Sequence, residues 1–262
     1  MTVFDARRPW LKAYPEGVPA DIDTNQYASL VALMQESFAR HADRVAYSFL
    51  GKDVTFGETD KLSQALAAYL QSLGLAKGDR VAIMMPNCPQ YPVAVAAILR
   101  AGLVVVNVNP LYTPRELQYQ LKDAGAKAIV IIENFASTLE ECIANTSVKH
   151  VVLCTMGDQL GLLKGALVNW VVRPVKKMVP DFNLPLAVRF NDAIAQGQRA
   201  QLTPPSLTPD DVAVLQYTGG TTGIAKGAVL LHRNVIANLL QSEAWNAPAM
   251  ASLPTGTQAV YV

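Results

Sequence analysis

Apolar positions recur at helical spacing early in the chain: Leu30, Leu33, Met34 and Phe38 fall on one helical face, and a short strand-like run at 45–49 follows. Thr55 and Glu58 then form a T-x-x-E capping box, whose reciprocal hydrogen bonds satisfy free N–H groups at a helix start. The stripe behind it, Leu62, Leu66, Tyr69, Leu70 and Leu73, runs to Gly74, a residue suited to the turn that ends a helix. Past a turn at 77–79, residues 80–85 have the length and composition of a buried strand, and Pro89 opens a helix that stops at Gly102. A strand at 104–108 comes next. Thr113-Pro114-Arg115-Glu116 is a second capping box, with proline at the first helical position, and it leads a helix to Gly125. A strand at 128–132, a helix at 135–144 and a strand at 150–154 continue the alternation. Strands of this apolar kind alternating with helices predict an α/β fold: layered, mostly parallel sheet covered by helices on both faces.

The pattern breaks over 156–209, so the chain divides into a first α/β region at 1–155, a basic amphipathic and proline-rich connection at 156–209, and a further region at 210–262. Within the connection, Leu160, Leu163, Leu167, Trp170 and Val171 share a helical face, while residues 161–179 carry Lys164, Arg173, Lys176 and Lys177 and no acid. Peripheral contact of 160–179 with an anionic membrane surface is one account of this segment; a surface helix that packs its apolar stripe on the protein body is the other. Pro174 and the small number of basic residues favour the second.

Composition narrows the function classes. The chain has 262 residues, 51% of them hydrophobic, which is ample for a buried core, and its net charge of +1 offers no footprint for nucleic acid. Cys88, Cys142 and Cys154 are widely spaced and lie outside any CxxC pair, so reduced, buried thiols are expected. The first ten residues lack the apolar core of a signal peptide, and the longest apolar run, 92–106, is interrupted by Arg100 and falls short of the roughly 20 residues that span a bilayer. A cytoplasmic location is the expectation.

The chemistry concentrates after an apolar strand at 212–217, where residues 217–227 read YTGGTTGIAKG. Gly219, Gly220 and Gly223 let the backbone approach a ligand closely and turn successive N–H groups onto phosphate oxygens. Thr218, Thr221 and Thr222 add hydroxyl donors, one of which could ligate Mg²⁺, and Lys226 adds a cation suited to polyphosphate. The spacing is not that of a P-loop, because Lys226 follows Ala225 and precedes Gly227 where glycine and a hydroxyl residue are needed. Nor do these glycines give the G-x-G-x-x-G register of a dinucleotide fold. A flexible hairpin turn is the structural alternative. His232 lies just beyond the loop, where a positioning or helix-entry role fits better than proton transfer, and Asp210 and Asp211 fit a turn.

The stretch YTGGTTGIAKGAVLLHRN resembles the signature loop of the adenylate-forming superfamily, which includes acyl-CoA synthetases, luciferases and peptide-synthetase adenylation domains. GDRVAIMMPNCPQYPVAVAAILRAGLVVVNVNPLYTPREL and QLKDAGAKAIVI are similar to the bacterial long-chain fatty acid CoA ligases, with the likeness running from about Gln26 to Glu243. The resemblance implies that a long-chain fatty acid carboxylate attacks Mg-ATP to give acyl-AMP and pyrophosphate, and that CoA as co-substrate then displaces AMP. It assigns Tyr217, Thr218, Gly219, Gly220, Thr221, Thr222, Gly223, Lys226 and Gly227 to the nucleotide loop. Family members continue for roughly as long again, so the chain is expected to be an incomplete N-terminal AMP-binding domain, inactive alone, with the catalytic residues mainly beyond 262. A different carboxylate-activating ligase and a non-catalytic nucleotide- or membrane-binding module remain as alternatives. A homodimer and a peripheral position on the inner face of the membrane stay open.

Overall fold

The computed structural model describes residues 8–218 and 225–254. Both capping boxes form. Thr55 Oγ1 accepts the Glu58 N–H at 3.1 Å and Glu58 accepts the Thr55 N–H at 2.8 Å, opening α2 (Phe56–Ser72). Thr113 and Glu116 do the same for α4 (Pro114–Ala124), which ends at Gly125 with φ of 61°. Ser29 caps α1 (Leu30–Arg40). The strand expected at 45–49 forms as β1 (Val45–Phe49), but it pairs antiparallel with β2 (Lys52–Thr55) in a separate hairpin. No strand was expected at 52–55, because four residues directly ahead of a capping box leave no room for a periodic signal.

The main sheet holds β3 (Arg80–Met84), β4 (Val104–Asn107), β5 (Ala126–Ile132), β6 (His150–Cys154), β7 (Ala187–Arg189), β8 (Val212–Thr218) and β9 (Lys226–Leu231), in the order β7-β6-β5-β3-β4-β8-β9. Every pairing is parallel except β8 with β9. β7 and the helix after it, α7 (Phe190–Gly197), come from the stretch whose sequence looked aperiodic, so the sheet draws strands from all three segments of the chain.

Alternation along β3 shows how the layers form. Val81 and Ile83 join a core with α2, α3 (Gln90–Arg100), α7 and α8 (His232–Ala251) on one face, whereas Ala82 and Met84 join α4 and α5 (Ala136–Ile143) on the other. The connections leaving β3 and β4 therefore go to opposite faces, which makes their carboxyl ends the switch point of the sheet. Open α/β sheets bind ligands at such a switch point. The three cysteines are free and buried in these cores.

The basic segment overturns the packing expected of it. Helix α6 (Leu162–Trp170) continues through a π-helical turn at Val171–Val175 that contains Pro174. Its leucines do not pack on the body: Leu162 is 94% exposed, Leu163 90%, and Leu167 and Trp170 are exposed as well, while Leu160 alone of the expected stripe is buried. The face turned inward is small and polar. Gly165 packs so closely on Gly157 that a side chain on either would collide with the other's backbone. Asn169 accepts the Gly157 N–H at 2.9 Å and donates to Thr155 at 3.0 Å. Arg173 grips buried Glu133 with two bonds at 2.9 and 2.6 Å. Polar attachment thus replaced apolar packing, a choice that periodicity cannot report because it gives the stripe and not its direction. Among the described residues no helix is long and apolar enough to cross a membrane.

Phe190, fully buried between α7 and the α2 face, tests this packing. Phe190→Ala should cost about 3–5 kcal/mol through lost transfer energy and a residual cavity, read as a lower urea midpoint. A loss near zero would contradict the described core.

Candidate nucleotide site

The site begins at the carboxyl end of β8, which lies parallel to β4 with Val105, Val106 and Asn107 opposite Val214, Leu215 and Gln216. β8 and β9 are the arms of a hairpin, with Tyr217 opposite Gly227 and Thr218 opposite Lys226. The described tips of both arms, Thr218 and Lys226, stand at the edge where the parallel strands end. Gly219, Gly220, Thr221, Thr222 and Gly223 lie outside the described residues. Of the other predicted loop residues, Thr218 and Lys226 are exposed at the two tips and Tyr217 is buried between the arms and α4.

Polar side chains hold β8 on both faces just below the loop. The Tyr217 hydroxyl donates to the Asp123 carboxylate at 2.5 Å, and burial together with that acceptor pushes the phenol's pKa well above its ordinary value. The Tyr217 ring covers Gly227, where a β-carbon would lie 3.0 Å from ring carbons, so any larger residue would press on the ring. On the opposite face Gln216 accepts from Asn107 at 2.9 Å, and Tyr91 donates to Asn107 at 3.0 Å. Gln120 adds a bond to the Asn107 carbonyl at 2.7 Å. Asp123, Asn107, Tyr91 and Gln216 were not among the residues singled out from sequence. Two signals were there: an acid in the last turn of a helix, and an asparagine closing an apolar strand.

His232, 1% exposed, begins α8, at the helix entry that was one of the two roles expected of it. Its Nδ1 accepts the Leu30 N–H at 3.1 Å, its own N–H donates to the Asp211 carbonyl at 3.0 Å, and the Arg233 N–H reaches the Pro209 carbonyl. Asp211 also accepts the Thr208 N–H at 2.7 Å and pairs with Lys77, so it closes the turn ahead of β8. These contacts fix where the hairpin starts and returns. Among the described residues no group of three His, Cys, Asp or Glu side chains forms a metal cage.

Burial lowers the His232 pKa, so the folded protein resists a proton that the unfolded chain accepts near pH 6.5. Stability should be level above that pH and fall as the pH drops below it, because the unfolded state then binds more protons. Urea midpoints between pH 7.5 and 5 should show this slope, and His232→Gln should flatten it. An equal slope in both proteins would refute the assignment.

A family model described as AMP-binding enzyme matches residues 34–261. A long-chain-fatty-acid–CoA ligase of Escherichia coli O157:H7 is 55% identical over 245 residues, covering 93% of this chain and 44% of that protein. The Bacillus subtilis (strain 168) protein of the same name is 38% identical, over 92% of this chain and 43% of its own length. Among solved structures, a long-chain-fatty-acid-CoA ligase from Archaeoglobus fulgidus aligns with a TM-score of 0.67 at 21% identity, over 88% of this chain and 41% of that one. This last likeness concerns the fold. The chain thus spans less than half the length of the relatives it matches.

Proposed function

The chain belongs to the AMP-binding enzyme family, and on that premise we propose that it serves as the nucleotide-loop-bearing part of an ATP-dependent long-chain fatty acid CoA ligase. The observation that carries this reading is that the two described ends of the YTGGTTGIAKG stretch, Tyr217 and Thr218 with Lys226 and Gly227, face each other on a hairpin at the carboxyl edge of a parallel sheet. Identity of 55% to a long-chain ligase, against 31% to a 4-coumarate–CoA ligase of rice, favours a long acyl chain over an aryl acid.

In this reaction a carboxylate oxygen attacks the α-phosphorus of ATP and pyrophosphate departs. The thiol of CoA then attacks the acyl carbon, loses its proton, and AMP leaves. A carboxylate needs this activation because it is a poor acylating agent, whereas its mixed anhydride with AMP carries a good leaving group. Lys226 and the hydroxyl and N–H groups of 218–223 hold the β- and γ-phosphates and offset the charge that grows on departing pyrophosphate, which is preorganised electrostatic catalysis. Mg²⁺ enters as part of the substrate, bound mainly by phosphate oxygens. Residues 1–155 and 210–262 supply the switch point and the loop in this scheme, and 156–209 carries the surface helix.

The exposed leucines of α6 support a peripheral position at the inner membrane face. Leu162, Leu163, Leu167 and Trp170 point away from the body, with exposed Lys176, Lys177 and Met178 just beyond. α6 follows β6 at the same carboxyl edge as the loop, four strand spacings or roughly 19 Å across the sheet. A helix that dips apolar side chains into a bilayer there would turn the acyl-activating edge toward the lipid.

In the full-length ligase, pyrophosphate release should depend on added long-chain fatty acid, and Lys226→Ala should depress it at least about tenfold. The same change should move stability by no more than about 0.5 kcal/mol, since the side chain is exposed. Release unaffected by Lys226→Ala, or indifferent to the acid supplied, would sink the proposal. For the surface helix, sedimentation with phosphatidylglycerol-containing vesicles should weaken at least about tenfold on Lys176→Glu with Lys177→Glu, each lysine being worth about 1 kcal/mol at an anionic surface. Trp170→Ser should weaken it further. Unchanged sedimentation would remove the membrane role.

A further inference from the structure

Asp123 stands where helix electrostatics offer it nothing. It lies in the last turn of α4, one residue before Ala124, where the unpaired carbonyls disfavour a negative side chain and favour a neighbour such as Lys122. What it does have is a partner 94 residues away: its carboxylate accepts the Tyr217 hydroxyl at 2.5 Å, in the short range of charge-assisted bonds. Tyr217 in turn touches both arms of the hairpin, being part of β8 and laying its ring on Gly227 of β9. The next pair outward is Thr218 with Lys226, the outermost pair of the hairpin ladder.

We infer that Asp123 is a positioning residue for the phosphate loop, acting through Tyr217. By holding the phenol at one depth against α4, it sets how that outermost pair stands relative to the switch point before ATP arrives. Gln216 and Asn107 brace the other face of the strand, so rotation of the hairpin about β8 is opposed from both sides. A phosphate cradle works by convergence of donors fixed in advance, and a misplacement of about 1 Å can cost up to 10²-fold in rate. Asp123 reaches no substrate itself in this scheme. The inference rests on the ligase reading above and adds a residue that reading does not include.

The two half-reactions of the full-length ligase separate positioning from plain stability. Fatty-acid-dependent ATP–pyrophosphate exchange uses the loop, whereas transfer of the acyl group from supplied acyl-AMP to CoA needs neither the β- and γ-phosphates of ATP nor pyrophosphate. Asp123→Ala should lower exchange about 10- to 100-fold, with a raised KM for ATP, and leave thioester formation from acyl-AMP within about twofold. Tyr217→Phe should lower exchange to a similar extent, and the double substitution should be no worse than either single one, since both remove one bond. Asp123→Asn retains an acceptor oxygen and should recover most of the exchange. Equal loss in both half-reactions together with a lowered melting temperature would reduce Asp123 to a structural contact. Exchange within twofold of normal in Asp123→Ala, or additive losses in the double variant, would overturn the inference. Absence of exchange in the unsubstituted enzyme would instead overturn the ligase reading, and this inference with it.

Discussion

The ladder between β4 and β8 joins stretches of chain that are far apart in sequence, with Asn107 and Gln216 separated by 109 residues, and the location of the loop follows from it. Because β8 enters the sheet parallel to β4, its carboxyl end emerges at the same edge as those of β3, β5 and β6. Because the connections from β3 and β4 part to opposite faces, that edge carries the topological switch point of the sheet. An antiparallel β8 would have delivered the same eleven residues to the amino edge, away from the carboxyl ends of β3 and β4.

Two kinds of force hold this arrangement, and they divide the work. Apolar burial on both faces of β3, β4 and β5 provides the bulk stabilisation and is tolerant of which hydrophobic residue sits where. Direction and depth of the hairpin are set by a few polar contacts: Tyr217 with Asp123, Gln216 with Asn107, and the corner at His232 that returns the chain to Leu30 and Asp211. Buried polar groups must find their partners at particular distances and angles, so they specify geometry where hydrophobic contact would permit sliding.

The same logic appears inverted in α6. Here the polar and small residues, Gly165, Asn169 and Arg173, face the protein, and the leucines and Trp170 face outward. The two-bond grip of Arg173 on Glu133 gives the buried carboxylate a partner and anchors the helix without spending its apolar side chains. Among the described residues this apolar stripe has no packing partner, which sets it apart from an ordinary polar helix surface.

Local patterns determined much of the molecule by themselves. Capping boxes act within four residues, helical and strand periods within ten, and the glycine, threonine and lysine content of 217–227 marks it as a candidate phosphate loop without reference to the rest of the chain. The α/β class, most element boundaries and the loop were legible for that reason. Only the tertiary structure decided which distant segments touch: β7 hidden in an aperiodic stretch, Asp123 beneath Tyr217, Asn107 against Gln216, and the outward turn of α6. These depend on strand order and on polar contacts across 40 to 109 residues, and a single sequence carries no local signal for a partner that only the folded sheet brings near.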